Sequence, residues 1–308
     1  MPRIAVFTKN RVNPAYAAAR LGADRAAARF GATTAHYVPG KPDDIAEQVA
    51  LIARAVAERP DAAVFVPVHE TAVNDAILKF DTAGIPLFNI IVPITAGKRV
   101  TFIGSDDRAL AHNIARYLFA KMSGRGDIAI VEGTPASATS HARLKGFQDA
   151  LAEHPGIAVR LSFGGEYLRD AARAAYQARA GECRGIDAFL CANDAMALGV
   201  LDALVAEPGA AKPLVTGVNA IPEAIAAIAA GQMLATANFD AMTMATLATE
   251  AALRHLRGET IPPEIMLPVQ IVDATNCAQW NAPFEARACP DWDAVVTAVP
   301  QRPPHTPA

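Results

Sequence analysis

A chain of 308 residues that is 52% hydrophobic and 19% charged can bury one large core or two ordinary ones without disulfides or metals. Its net charge of -3 offers no basic face for nucleic acid. No apolar run approaches the ~20 residues of a membrane-spanning helix.

Met1-Pro2-Arg3 leads straight into Ile4-Ala5-Val6-Phe7, so no signal peptide precedes the first apolar run. Either the leader of an exported protein has been removed or the protein is cytosolic. Strands and helices then alternate, which predicts parallel sheets built from βαβ crossovers. Strands are expected to begin near residues 4, 35, 63, 86 and 100, and again near 127, 157, 187, 213 and 234. The two series look like a duplicated five-strand unit. Between them lie helical stripes: Ile45, Val49, Ile52 and Val56; Val73, Ile77 and Phe80; Leu110, Ile114 and Tyr117; Leu144, Phe147 and Leu151. A helix with Leu198, Leu201 and Val205 on one face follows the apolar run Ala188 to Ala192. Another spans Ala241 to Arg257 and stops at Gly258. A last strand is expected over Ile265 to Val272. Beyond about residue 273 the chain reads as irregular, anchored on the second half by Trp280, Phe284 and Trp292. The stretch Pro300-Gln301-Arg302-Pro303-Pro304 is expected to be mobile.

Polar residues gather where the apolar runs stop. The first half gives Asn10, His69-Glu70, Asn89 and Ser105-Asp106. The second gives Glu132-Gly133-Thr134, Gly164-Gly165-Glu166, Asn193-Asp194, Asn219 and Asn238. Ligands of open α/β sheets bind just past these carboxyl ends. At the Asn193-Asp194 corner, Asn193 is the expected ligand contact and Asp194 the helix cap. Asn13-Pro14 reads as a helix cap followed by proline at the first helical position. Tyr16 suits either ring stacking on a ligand or ordinary helix packing.

No catalytic constellation accompanies these residues. There is no Gly-x-Ser-x-Gly corner, phosphate loop or Gly-x-Gly-x-x-Gly motif. His69 ends a strand, His112 falls inside a helix, His141 lacks a nucleophile partner, and Glu132 alone is weak support for acid-base chemistry. No enzymatic activity and no cofactor are expected. The four cysteines form no Cys-x-x-Cys, so no metal is expected either. Cys191 reads as a core thiol, and Cys183 has no assignment. Cys277 and Cys289 are a candidate disulfide pair if the protein is exported.

Asn193-Asp194-Ala195-Met196-Ala197-Leu198-Gly199 resembles the strand-to-helix corner of ribose-type periplasmic sugar-binding proteins, the type I family that shares its fold with lac-repressor-type effector domains. Asn13-Pro14-Ala15-Tyr16, Arg143-Leu144-Lys145-Gly146-Phe147 and Gly217-Val218-Asn219 resemble three further motifs of that family, in the same order. The likeness spans residues 3 to about 272. It implies two Rossmann-like α/β lobes with parallel sheets joined by a three-segment hinge, the chain crossing near Gly104, Asn238 and Pro268. The lobes would comprise residues 1–104 plus 239–268 and residues 105–238 plus 269–308. It further implies a periplasmic, monomeric solute-binding protein of an ABC-type importer, closing on its ligand and meeting a membrane permease. The alternative is a sensor or regulator of the same fold, although no helix-turn-helix precedes the first strand.

The ligand set implied by the strand ends and the resemblance is Asn10, Asn13, Tyr16, His69, Asn89, Asp106, Arg143, Asn193, Asn219, Asn238 and Phe239. Ribose itself is not the expected ligand. The family's Asp-Arg after the fourth strand is Ile91-Val92 here, its Gly-Phe-Asp is Gly217-Val218-Asn219, and Phe239 stands at its glutamine. Arg143 reads as an arginine opening a helix, which is unfavourable against the dipole and so points to a ligand role. A buried guanidinium needs a counter-charge. Asp106, Glu132 or Asp240 would leave room for a neutral sugar or polyol, and otherwise the solute supplies its own carboxylate.

Overall fold

The computed structural model describes residues 1–135, 137–206 and 212–298; the proline-rich 300–304 stretch lies outside the described residues. The chain forms two compact units. One takes Met1–Ser105, Asp240–Pro268 and the chain from Ala288; the other takes Asp106–Phe239 and Val269–Arg287.

The first unit begins β1 (Arg3–Phe7), α1 (Pro14–Arg29), β2 (Thr33–Tyr37), α2 (Ile45–Glu58), β3 (Ala62–Phe65), α3 (Asn74–Ala83), β4 (Leu87–Ile90) and β5 (Thr101–Gly104). The second continues with α4 (Asp107–Lys121), β6 (Gly126–Glu132), α5 (Ala138–Ala152), β7 (Ile157–Gly164), α6 (Arg169–Gln177), α7 (Ala180–Cys183), β8 (Ala188–Cys191), α8 (Asp194–Val205), β9 (Leu214–Val218), α9 (Pro222–Ala229) and β10 (Ala235–Asn238). The chain then returns to the first unit for α10 (Ala241–Leu256) and β11 (Glu264–Met266), gives β12 (Gln270–Asp273) to the second, and ends its described part in α11 (Trp292–Ala298).

The sheets run β11-β5-β4-β3-β1-β2 and β12-β10-β9-β8-β6-β7. Pairings are parallel throughout except β10 with β12. The strands read as unbroken apolar runs because helices cover both faces; every residue of β3, β4, β5 and β8 is buried. Strand order reverses at β1/β3 and at β6/β8, and a doubly wound sheet opens its ligand crevice at such a switch point. Under the first sheet, Phe7 stacks on Tyr37 with ring centroids 4.8 Å apart, and Phe65 and Phe80 complete the cluster.

All ten strands of the duplicated series form within two residues of their expected starts. The strand expected over 265–272 is two strands. Leu267-Pro268-Val269 interrupts it, since Pro268 has no N–H for a ladder, and β11 joins one sheet while β12 joins the other. Two helical stripes are rotated from expectation. On α2 the buried residues are Gln48, Ile52 and Ala55, with Ile45 38% exposed. On α8 the chain buries Met196, Ala197, Leu198, Val200 and Ala203, and leaves Val205 in solvent. Trp292 does not anchor on the second unit. It is buried beneath Arg254 of α10, whose Cζ lies 5.2 Å from its ring centre. The four cysteines are free thiols, so Cys277 and Cys289 form no disulfide. The Cys277 thiol donates instead to the Ala274 carbonyl at 3.9 Å, and burial pushes the Cys191 thiol up and out of reactive range.

Candidate functional site

In the first unit the strand ends are held by buried amides. Gln48 donates from Nε2 to Val66 O at 2.9 Å and accepts from Val68 N at 2.8 Å, fixing the chain beyond β3. Asn89, fully buried, does the same beyond β4. Its Nδ2 donates to Phe65 O at 3.1 Å and to Val92 O at 2.8 Å, and its Oδ1 accepts from Ile94 N at 2.9 Å. Both donors are committed, so Asn89 is a clasp and has no hydrogen to offer a ligand. It holds Ile91 at φ 69°, a strained value for a β-branched residue. Ile91 and Val92 thus form a buried apolar corner at the carboxyl end of β4.

Asn10 is also engaged. Its Nδ2 donates to Asp43 at 3.0 Å and its Oδ1 accepts from Asn13 N at 2.9 Å. Asn13 caps α1, accepting from Ala15 N at 3.0 Å, while its NH2 group has no partner among the described residues. Tyr16 is half-buried on α1. His69 accepts at Nδ1 from Thr71 N and Ala72 N, both at 3.2 Å. With Nδ1 accepting, Nε2 is the ring's donor position.

In the second unit Arg143 is the centre. It lies inside α5, not at its opening, and is buried because it sits on the stripe Ser140, Arg143, Gly146, Phe147 and Ala150. Nε donates to Asp107 Oδ1 at 2.8 Å and Nη1 to Ala192 O at 2.6 Å, and Cζ lies 5.1 Å from the Phe239 ring centre and 6.0 Å from that of Tyr167. Asp107 therefore supplies the counter-charge that the sequence assigned to Asp106, Glu132 or Asp240. Asp106 is exposed and caps α4 through Ala109 N at 2.9 Å. Glu132 accepts from Ser162. Asp240 caps α10, accepting from Thr243 N at 2.9 Å.

At the Asn193-Asp194 corner the helix cap is Asn193 and not the expected Asp194. Asn193 is the cap of α8, accepting from Met196 N at 2.9 Å while its Nδ2 donates to Tyr167 O at 3.1 Å. Asp194 is the buried hub. Its Oδ2 accepts from Ile221 N at 3.0 Å and its Oδ1 from Thr236 Oγ1 at 2.6 Å. Burial raises its pKa to about 6 against the pull of those bonds and of Arg143. Asn219 follows β9 at φ 126° and Ala220 at φ 53°. The side-chain amides of Asn219 and Asn238 have no partner among the described residues.

Three residues of this site escaped the sequence reading: Asp107, Asp194 as hub, and Tyr167. Asp107 was legible, because Leu110, Ala111 and Ile114 extended back one turn reach residue 107 and not 106. Tyr167 follows β7 at φ 59°, beside Glu166 at φ 53°, with its ring over Gly133. No local pattern announces it.

Among the described candidate residues, the Asn13 NH2, the His69 Nε2 and the side-chain amides of Asn219 and Asn238 make no hydrogen bond, and Asn10 and Asn193 each commit one of two Nδ2 hydrogens. Such groups pair with hydroxyls, which both donate and accept.

A family model described as a periplasmic binding protein domain matches residues 4–260. The D-ribose/D-allose-binding protein of Pseudomonas aeruginosa is 27% identical over 241 residues, 75% of either chain. The D-allose-binding periplasmic protein of Escherichia coli is 27% identical over 244 residues, covering 75% of this chain and 77% of that one. A solved ABC-transporter solute-binding protein from Actinobacillus succinogenes with bound D-allose superposes with a TM-score of 0.85 at 26% identity, over 90% of this chain and 99% of the other.

Proposed function

Since this chain belongs to the periplasmic binding protein family, we propose that it is the solute-binding component of an ABC-type importer and takes a small neutral sugar or polyol. It would work in the periplasm as a monomer, deliver its solute to a membrane permease, and return that solute chemically unchanged. The similar proteins named for ribose and allose support the solute class.

One observation supports a neutral solute. Arg143 is already paired with Asp107 at 2.8 Å, and both side chains are at most one-tenth exposed. A buried ion pair that is already closed leaves no net positive charge to balance a carboxylate. An anionic solute would lose its hydration beside Asp107 without a partner to replace it. Hydroxyls suit the uncommitted amides. The apolar corner at Ile91 and Val92 makes one edge of the solute poor in hydroxyls.

Calorimetric titration with D-allose and other neutral aldoses and polyols, each beside its sugar acid, tests this. A neutral member is expected to bind at least about tenfold more tightly than its acid. Tighter binding of the acid, or no binding by any neutral member, would overturn the reading.

A further inference from the structure

The turn after β9 is clamped from two sides. On the sheet side, Ala220 N donates to Thr236 Oγ1 at 3.3 Å, Ile221 N donates to Asp194 at 3.0 Å, and Asn219 N donates to Ala237 O at 2.9 Å. On the other side stands Arg287. Its Nη1 donates to Ala220 O, its Nη2 to Trp280 O and its Nε to Ala282 O, each at 3.1 Å. The guanidinium lies 4.7 Å from the Phe284 ring centre and 5.8 Å from that of Trp280. Two short 3-10 turns, Cys277–Trp280 and Phe284–Ala286, bring these groups together.

This clamp holds an unfavourable backbone. Two consecutive non-glycine residues with positive φ persist only when their surroundings over-determine them. Neither residue has the freedom of glycine, and Ala220 has no side chain with which to stabilise itself in that region. The fork of an arginine can reach three carbonyls at once where a lysine reaches fewer. The clamping segment lies beyond residue 260, where the match to the family model ends.

We propose that Arg287 is a positioning residue for solute binding, reaching from the C-terminal segment to fix the Asn219–Ala220 turn so that the Asn219 amide meets the solute preformed. The inference rests on Asn219 being a solute contact, as the function above has it. A preformed contact avoids an ordering cost on binding, so loss of the clamp acts mainly on how long the solute stays.

Hydrogen exchange on the ligand-free protein reads the clamp without any solute. Arg287→Ala is expected to speed exchange at Ala220 and Ile221 while leaving α1 unchanged. Titration with D-allose, or with whichever neutral solute binds most tightly, is expected to show roughly tenfold weaker binding, with a faster off-rate. Arg287→Lys, which keeps the charge but loses the fork, is expected to fall between. In an Asn219→Ala background the further loss from Arg287→Ala should disappear, because the arginine acts through that side chain. Unchanged exchange at 220–221, or equal affinity losses in both backgrounds, overturns the proposal. If no neutral solute binds wild type, the transport reading fails, and exchange alone still judges the clamp.

Discussion

At the scale of single residues, the site is built by charges placed on stripes that should be apolar. Arg143, Asp107 and Asp194 are all buried or nearly so, and each occupies a position where helix periodicity calls for a hydrophobe. That mismatch is visible in sequence. So is the choice of Asp107, which the apolar stripe of α4 extended back one turn reaches; in the structure Asp106 accepts from Ala109 N as the helix cap and Asp107 faces Arg143. A one-residue difference likewise puts the cap of α8 at Asn193 where the sequence placed it at Asp194. Asp194 has a measurable signature. Its pKa rises from 3.8 to about 6 on folding because burial penalises the charge, with Arg143 opposing and Cys191 nearby. Between about pH 4 and 6 the folded protein therefore binds a proton that the unfolded chain has released. Stability contributed by this group is full below that window and declines as pH rises through it, by on the order of 3 kcal/mol. Asp194→Asn removes the titration and keeps the shape. The Tm of wild type minus that of the variant is expected to fall between pH 4 and 6 and then level off. A flat difference would show that Asp194 is ionised throughout.

At the scale of elements, two glycines of the family-like motifs serve close helix approach. A Cβ on Gly146 of α5 would lie 2.2 Å from Arg108 O of α4, and one on Gly199 of α8 would lie 2.2 Å from Arg169 O of α6. The close passage of α5 over α4 is also what lets Arg143 reach Asp107 at 2.8 Å, so packing and site geometry share one residue. Gly146→Ala is expected to destabilise by about 1–3 kcal/mol through overpacking, which outweighs the gain in helix propensity, and to weaken solute binding as well. Gly181→Ala, where an added Cβ meets nothing within 4 Å, serves as the control and should be neutral or slightly stabilising when both variants are titrated with urea. A Gly146→Ala protein as stable as that control would mean α4 moves aside freely. Elements were the most legible level, since continuous apolar runs between helical stripes leave little choice but parallel strands. Their failures are instructive: Gln48 is buried as a clasp on Val66 and Val68, which no stripe of hydrophobes predicts. The division of the last strand at Pro268 depends on which sheet edge each half finds.

At the scale of the whole molecule, the uncommitted groups divide between the two units. Asn13 and His69 belong to the first, Asn219 and Asn238 to the second, and each set sits beyond the carboxyl ends of its own sheet. Two amides or an amide and an imidazole are too few to hold a small solute against water, because each hydroxyl bonded to protein gives up a bond of similar strength to solvent. A solute engaged by both sets loses more water and gains more fixed partners. The chain crosses between the units at 105/106, 239/240, 268/269 and 287/288, one crossing more than the three expected near Gly104, Asn238 and Pro268. Under the proposed function the units close on the solute, and a ligand shifts such an equilibrium in proportion to its differential affinity for the two arrangements. Saturating neutral solute is thus expected to make the scattering profile more compact. At about a thousandfold excess over Kd it should also add roughly 4 kcal/mol to the stability of the folded protein. The two readings separate the possibilities. Stabilisation with an unchanged scattering profile would place the whole binding surface on one unit and remove closure from the mechanism. Compaction that disappears in Asn219→Ala while Asn13→Ala keeps it would show that the second unit's set drives the movement.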